Sequence, residues 1–239
     1  MSAFYGLEDP RGYEAMTFNP LFETYPLWSV HQPFFFNRVD DITKPFVSMM
    51  NVRFAIAGAW LPVPYGWRLV AQQRHVILLE NMNAFDRAFI PRNVKLGLMD
   101  KEALEEMKVT GDFHERAWIT SDVPMERANG PGTVKVRASG MSQYDLDADM
   151  QGDGWIVLTE SAWKGWRAYV DGRRVKPQRA NVAFLSVYVP KGKHAVRFVY
   201  WPESFVAGRA VSFATLLGLI AFGGFRSRRR GDRRLRFAP

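Results

Sequence analysis

The sequence predicts a mainly β protein with some helix, an α+β chain whose C-terminal half is an antiparallel β-sandwich followed by one transmembrane helix. Three observations lead there. Residues 133–201 contain six strand-like runs at close spacing, TVKVRA, QYDLDADM, WIVLTES, WRAYV, VAFLSVYV and HAVRFVYW, as expected of short antiparallel strands with regular turns. Asp171-Gly172 lies between WRAYV and RRVKP, and Asp-Gly suits a two-residue type I′ hairpin turn, which needs positive φ at both positions. Phe205 to Phe225 is apolar except for Arg209.

Taken in order, residues 1–50 are expected to be irregular. Pro10, Pro20, Pro26, Pro33 and Pro45 stop every helical pattern before it reaches three turns. FNPLFETYPLW and PFFFN are too apolar for a free linker, so this segment is expected to pack on the domain or on a membrane part. Residues 51–125 read as a small α+β subdomain. NVRFAIA, WRLVAQQ and HVILLENM are strand candidates separated by Gly and Pro. MDKEALEEMKV reads as a short helix with Asp100 as cap and Met99, Ala103 and Met107 on one stripe. ERANGPGT, residues 126–133, reads as the loop that leads to a sandwich over 133–203. Within the sandwich QYDLDADM alternates strictly, with Tyr144, Leu146, Ala148 and Met150 on one face and three aspartates on the other.

The span is assigned to 205–225 and a basic tail to 226–239. Twenty-one helical residues at about 1.5 Å each cover roughly 31 Å, the thickness of a bilayer's hydrocarbon core. Arg209 lies one turn in, close enough to the end to snorkel toward headgroups. Seven arginines and Asp232 give the tail +6 of the chain's +8, so residues 1–225 carry only +2. The basic character is thus local to a membrane flank. A buried core helix is rarely followed by seven arginines, and a nucleic-acid arm leaves the apolar run unexplained. No nucleic-acid partner is expected; the lipid bilayer is.

Arginines beside a span stay inside the cell, so the C-terminus is expected in the cytoplasm and residues 1–204 outside. MSAFYGLEDPRGYEA has neither the basic nor the apolar part of a signal peptide. The expectation is therefore that this chain is the C-terminal piece of a longer polytopic protein whose earlier spans export the domain. Zero cysteines fit a bacterial extracytoplasmic domain that relies on its core.

Motifs for chemistry are sparse. His31, His75, His114 and His194 are scattered without HExxH spacing; there is no GxSxG, P-loop or dinucleotide fingerprint. DLDADMQGDG places Asp145, Asp147 and Asp149 at alternate positions, as in a calcium loop, but Met150 stands at the glycine position and Ile156 at the bidentate acid. A solvated strand face is the better reading. Glu8-Asp9 and Asp40-Asp41 are acid pairs in sequence, which need not converge in space. Trp155, Trp163, Trp166 and Trp201 offer flat faces for sugar rings, although such residues also serve as core or as interface anchors. No catalytic residue, metal site or cofactor is predicted.

The segment TESAWKGWRAYVDGRRVKPQRANVAFLSVYVPKGKHAVRFVYWPESF, with the apolar helix after it, closely resembles the C-terminal end of the YfhO family of bacterial membrane proteins. The resemblance rests on Gly165-Trp166, the Tyr169–Gly172 hairpin, Ala180-Asn181, Val189-Pro190 with Gly192 and His194, and Tyr200 with Pro202. MNVRFAI at 50–56, LENMNAFDRAFI at 79–90 and GLEDPRGYEA at 6–15 are similar to earlier landmarks of the family, although Asp86 precedes Arg87 where a proline is usual.

The resemblance implies a polytopic protein with a GT-C-like membrane core that transfers sugars from a polyprenyl-phosphate donor to cell-envelope polymers. The N-terminal spans that carry such a family's acidic catalytic loop and donor site are not in this sequence. The expectation is an extracytoplasmic portion in the bacterial cell membrane, not catalytic alone, that partners a multispanning catalytic half encoded upstream. The alternative is an independent membrane-anchored module that binds glycan or protein. If the domain holds envelope glycan, the candidate residues are Asp9, Arg11, Tyr13, Trp163 and Trp166, since carboxylate, guanidinium and aromatic faces are what sugars bind.

Overall fold

The computed structural model describes residues 8–10, 19–29, 39, 41–97 and 100–234. Helices α1 (Asn19–Glu23) and α2 (Pro45–Met49) flank a 3-10 turn, Tyr25–Leu27. None exceeds five residues, as the early prolines dictate. Strands β1 (Phe54–Gly58), β2 (Trp67–Gln73) and β3 (Val76–Asn81) follow, then β4 (Ala88–Phe89), β5 (Asn93–Leu96), helix α3 (Asp100–Lys108), β6 (Arg116–Ile119) and β7 (Met125–Ala128). The remaining strands are β8 (Gly132–Gly140), β9 (Gln143–Met150), β10 (Gly154–Ser161), β11 (Trp166–Val170), β12 (Arg173–Val175), β13 (Gln178–Ala180), β14 (Phe184–Val189) and β15 (Gly192–Tyr200). Helix α4 runs from Glu203 to Arg234. The chain is thus mainly β, with antiparallel sheets and one apolar helix at its end.

The strands form three sheets, ordered β1-β3-β2, β4-β10-β14-β13-β6-β5-β7 and β12-β11-β15-β9-β8. The seven-stranded sheet is the central layer, because alternate residues of its middle strands enter two different cores. Ile156 and Leu158 of β10 and Leu185, Val187 and Val189 of β14 pack with Leu146, Met150, Val196 and Phe198 of the five-stranded sheet. Val157 and Phe184 point the other way, toward Trp28, Phe46, Met49, Phe113 and Ile119, with Ile77 and Leu79 from β3. A strand buried on both faces reads as an unbroken apolar run, which is why WIVL and VAFLSVYV show no polar alternation. β9 alternates over its second half as predicted, with Leu146, Ala148 and Met150 buried and Asp147 and Asp149 exposed, whereas Asp145, expected on the wet face, is buried beside Arg197.

The six expected strands of residues 133–201 are present, with β12 and β13 added as short pieces. Val170 pairs with Arg173 across the Asp171-Gly172 turn. Both turn residues have positive φ, 51° and 77°, so the turn is the one predicted. One local expectation changes. Residues 126–128, read as loop, belong to β7 and pair with β5. MERA has no β-branched residue, so sheet pairing at an edge overrides local propensity. β5 and β6 pair in parallel, from Asn93↔Arg116 to Leu96↔Ile119, because α3 and its flanking chain carry the backbone back across the sheet. The seven-stranded sheet takes β4–β7 from before Asn129 and β10, β13 and β14 from after it.

The predicted helix over 99–109 is α3, with Ala103 and Met107 buried; Met99 lies outside the described residues. The chain divides after Val199 into two units. In the second, Glu203–Phe222 is long and apolar enough to cross a membrane, and the helix continues past the predicted end at 225 into the arginines. The Arg209 guanidinium lies over the Trp201 ring at 5.8 Å, so it reaches back toward the helix start, as snorkelling requires.

Candidate functional site

The most concentrated polar chemistry among the described residues joins three distant segments. Arg87 follows β3 and is fixed by β10: the Thr159 N–H and hydroxyl both donate to the Arg87 carbonyl, at 2.9 and 3.1 Å. Ala88 and Phe89 then enter the two cores, which leaves Arg87 at the sheet's end. Its Nη2 lies 2.8 Å from the Tyr144 hydroxyl, 3.1 Å from Glu160 Oε2 and 2.7 Å from Glu8 Oε2. The Tyr144 hydroxyl donates to Glu160 Oε2 at 2.6 Å. The guanidinium also stands 5.5 Å over the Tyr144 ring, a cation–π distance. Trp166 completes the group, its ring centroid 6.1 Å from that of Tyr144.

Tyr144 reaches this position because it heads the inward-facing row of β9, opposite Phe198 of β15. Burial, and then the hydrogen bond to Glu160, push its hydroxyl up to about 12, so it remains a proton donor at any physiological pH. Burial opposes the charge on Arg87. Its hydrogen bond to Tyr144 and the charges of Glu160 and Glu8 outweigh that and hold it above its ordinary value. Arg87 and Glu160 side chains are about one quarter exposed or less, whereas Glu8 is 73% exposed. Glu8 is therefore the guanidinium's most solvent-accessible partner.

Of the residues predicted to touch glycan, Trp166 lies in the cluster through Tyr144. Trp163 is in the same β10–β11 turn, where the Trp166 N–H donates to the Trp163 carbonyl at 3.4 Å, and it is 45% exposed. Asp9 is half-buried beside Glu8. Arg11 and Tyr13 lie outside the described residues. Sequence reasoning did not single out Arg87, Tyr144 and Glu160 as a group. The available signal was a tyrosine on an otherwise aliphatic inward row and an arginine directly before two core residues.

The calcium-like aspartates lie on the open face of β9, flanked by basic residues. Asp145 pairs with Arg197 Nε at 2.6 Å, Asp147 with Arg137 and Asp149 with Lys193, both at 3.9 Å. The Asp145 carboxyl is held below the usual range by its hydrogen bond from Arg197. Among the described residues no three His, Asp or Glu side chains gather as a metal cluster. His114 stacks on Phe85 at 3.5 Å between ring centroids, and burial lowers its pKa. His194 Nδ1 lies 2.6 Å from Asp171 Oδ2, so the hairpin turn is locked to β15.

Ala180-Asn181, one of the landmarks read from the sequence, is structural. Asn181 is fully buried, its backbone N–H donates to the Trp118 carbonyl at 2.7 Å, and its side-chain oxygen accepts from the Trp118 N–H at 3.0 Å.

A β-rich domain joined through two residues to an exposed apolar helix defines a membrane-anchored β protein. Residues 127–212, from the end of β7 into α4, match the sequence profile of the family described as bacterial membrane protein YfhO. Over about a third of its length the chain thus resembles the YfhO family of bacterial membrane proteins, and one of its helices is long and apolar enough to cross a membrane. No curated protein and no solved structure matches the chain.

Proposed function

We propose that this chain is the extracytoplasmic C-terminal portion of a membrane glycosyltransferase system, and that its domain holds the envelope-glycan acceptor. A multispanning half supplies the polyprenyl-phosphate sugar donor and the chemistry. Supporting this reading is the cluster in which one guanidinium is shared by Tyr144, Glu160 and Glu8 beside Trp166. A carboxylate and a guanidinium offer acceptors and donors for sugar hydroxyls, and an indole offers a face for the ring's C–H surface. Glu8 is the exposed partner of the guanidinium; a saccharide hydroxyl or carboxylate takes its place while Tyr144 and Glu160 keep Arg87 partnered.

Titration of the full chain in nanodiscs with envelope glycan fragments, followed by tryptophan fluorescence, tests the proposal. The expected result is a saturable change at millimolar ligand that is weakened in Trp166→Ala and Glu160→Gln variants. No saturable change, or equal binding by variants that retain the native fold, overturns it.

A further inference from the structure

The sheet β1-β3-β2 has an outer face on which exposed apolar side chains lie beside one ion pair, Arg68–Glu80. Its inner face carries Ile77 and Leu79 into the core. The register places Phe54, Ile56 and Gly58 of β1 opposite Glu80, Leu78 and Val76 of β3 on the outer face. There Phe54 is 52% and Ile56 78% exposed. A half-buried antiparallel sheet ordinarily places polar residues on that side.

The crossover from β1 to β2 extends the same surface. From Phe54 to Trp67 there are fourteen consecutive residues without a charge, FAIAGAWLPVPYGW. In the crossover Trp60 is 77% and Tyr65 97% exposed. A Cβ on Gly58 would meet the Trp60 ring at 2.5 Å, so only glycine lets that indole lie across the end of the strand. Pro62 and Pro64 have no N–H, and the N–H groups of Ala59 and Leu61 donate to the carbonyls of His75 and Gly58, so part of the loop's backbone needs no water.

We propose that this outer face and the 59–66 crossover are a second membrane contact, a monotopic patch in which Trp60 and Tyr65 sit at headgroup level. Exposed apolar patches of this kind mark protein or membrane contacts. Two observations favour lipid. Trp and Tyr on a charge-free, proline-stiffened loop are the residues that partition to the bilayer interface. In addition, only Trp201 and Pro202 separate β15 from α4, so the domain is tethered to a membrane at all times. Arg53 and Arg68 bound the uncharged stretch and pair with Asp86 and Glu80.

The chain contains no cysteine, so single labels can be placed without further substitution. Trp60→Cys, Tyr65→Cys and, as a solvent control, Val109→Cys (87% exposed) are labelled with an environment-sensitive fluorophore. The full chain is then reconstituted in phosphatidylcholine–phosphatidylglycerol nanodiscs. Spin-labelled lipids are expected to quench positions 60 and 65 at least about threefold more than position 109, while aqueous iodide quenches them less. Iodide quenching at 60 and 65 equal to that at 109 overturns the proposal, because the loop is then in water. Protection of both positions from lipid and aqueous quenchers also overturns it, in favour of a protein partner such as a second copy. Neither result bears on glycan binding at Arg87.

Discussion

Arg87 and Tyr144 are fifty-seven positions apart, yet a nitrogen of the first donates to the hydroxyl of the second at 2.8 Å. The phenol in turn donates to Glu160 at 2.6 Å, so Tyr144 is the hinge of the cluster. Tyr144→Phe leaves Arg87 and Glu160 each short of one partner. This substitution is expected to cost about 1–3 kcal/mol of stability, read from denaturation midpoints of the full chain in detergent. An unchanged midpoint would show that water replaces the hydroxyl without loss.

The Asp171-Gly172 turn isolates backbone strain. A Cβ on Gly172 meets nothing within 4 Å, but its φ of 77° is strained for a branched side chain. Gly172→Val should therefore destabilise by about 1–3 kcal/mol, with Gly172→Asn nearly neutral. Equal midpoints for Gly172→Val and the parent would refute this.

The His194–Asp171 pair gives a pH signature. The hydrogen bond to Asp171 raises the His194 pKa above 6.5, so its contribution is fully present below 6.5 and is lost as pH rises through the raised folded value. The hydrogen bond from His194 lowers Asp171, so that contribution is present above the ordinary carboxylate range and is lost in acid. Thermal midpoints should thus fall on both sides of a mildly acidic plateau. In His194→Gln the alkaline fall should flatten; an identical pH profile would rule the pair out as its origin.

Asn129 staples two segments. Its amide nitrogen donates to the carbonyls of Pro91 and Trp155, at 2.8 and 3.0 Å, and its oxygen accepts from the Trp155 N–H at 2.7 Å. Asn129 is buried, so Asn129→Ala leaves three backbone groups unpaired. A loss of about 2–4 kcal/mol is expected from chemical denaturation, and a loss within error of zero would contradict it.

Orientation is testable through reporters. A cytoplasmically active reporter fused after Pro239 should be active, and a periplasmic one inactive, because the Arg-rich flank stays inside. The reverse pattern would invert the proposed topology.

What the sequence discloses depends on how locally each feature is determined. The β9 alternation, the Asp171-Gly172 turn and the Phe205–Phe225 run follow from periodicity and φ preferences within a few residues, and they were legible. β5, β6 and β7 were not. NVKL, RAWI and MERA are four residues each and become strands only through partners elsewhere in the chain. The cluster was half legible for the same reason. Trp166 stands out by type, whereas Glu8, Arg87 and Glu160 acquire significance only when sheet register places them around Tyr144.

The order of strands in the seven-stranded sheet sets a timetable for biosynthesis. Ile119 of β6 must wait for its neighbour Ala180, a delay of about 3–12 s at 5–20 residues per second. Until then Trp118 and Ile119 lie on an open strand edge, the kind of surface that pairs with foreign chains. β14, which closes the sheet and contributes to both cores, is made shortly before the apolar helix. The open edge therefore persists until shortly before the membrane segment is made, and the interval between β6 and β13 is when the nascent chain is most prone to aggregate.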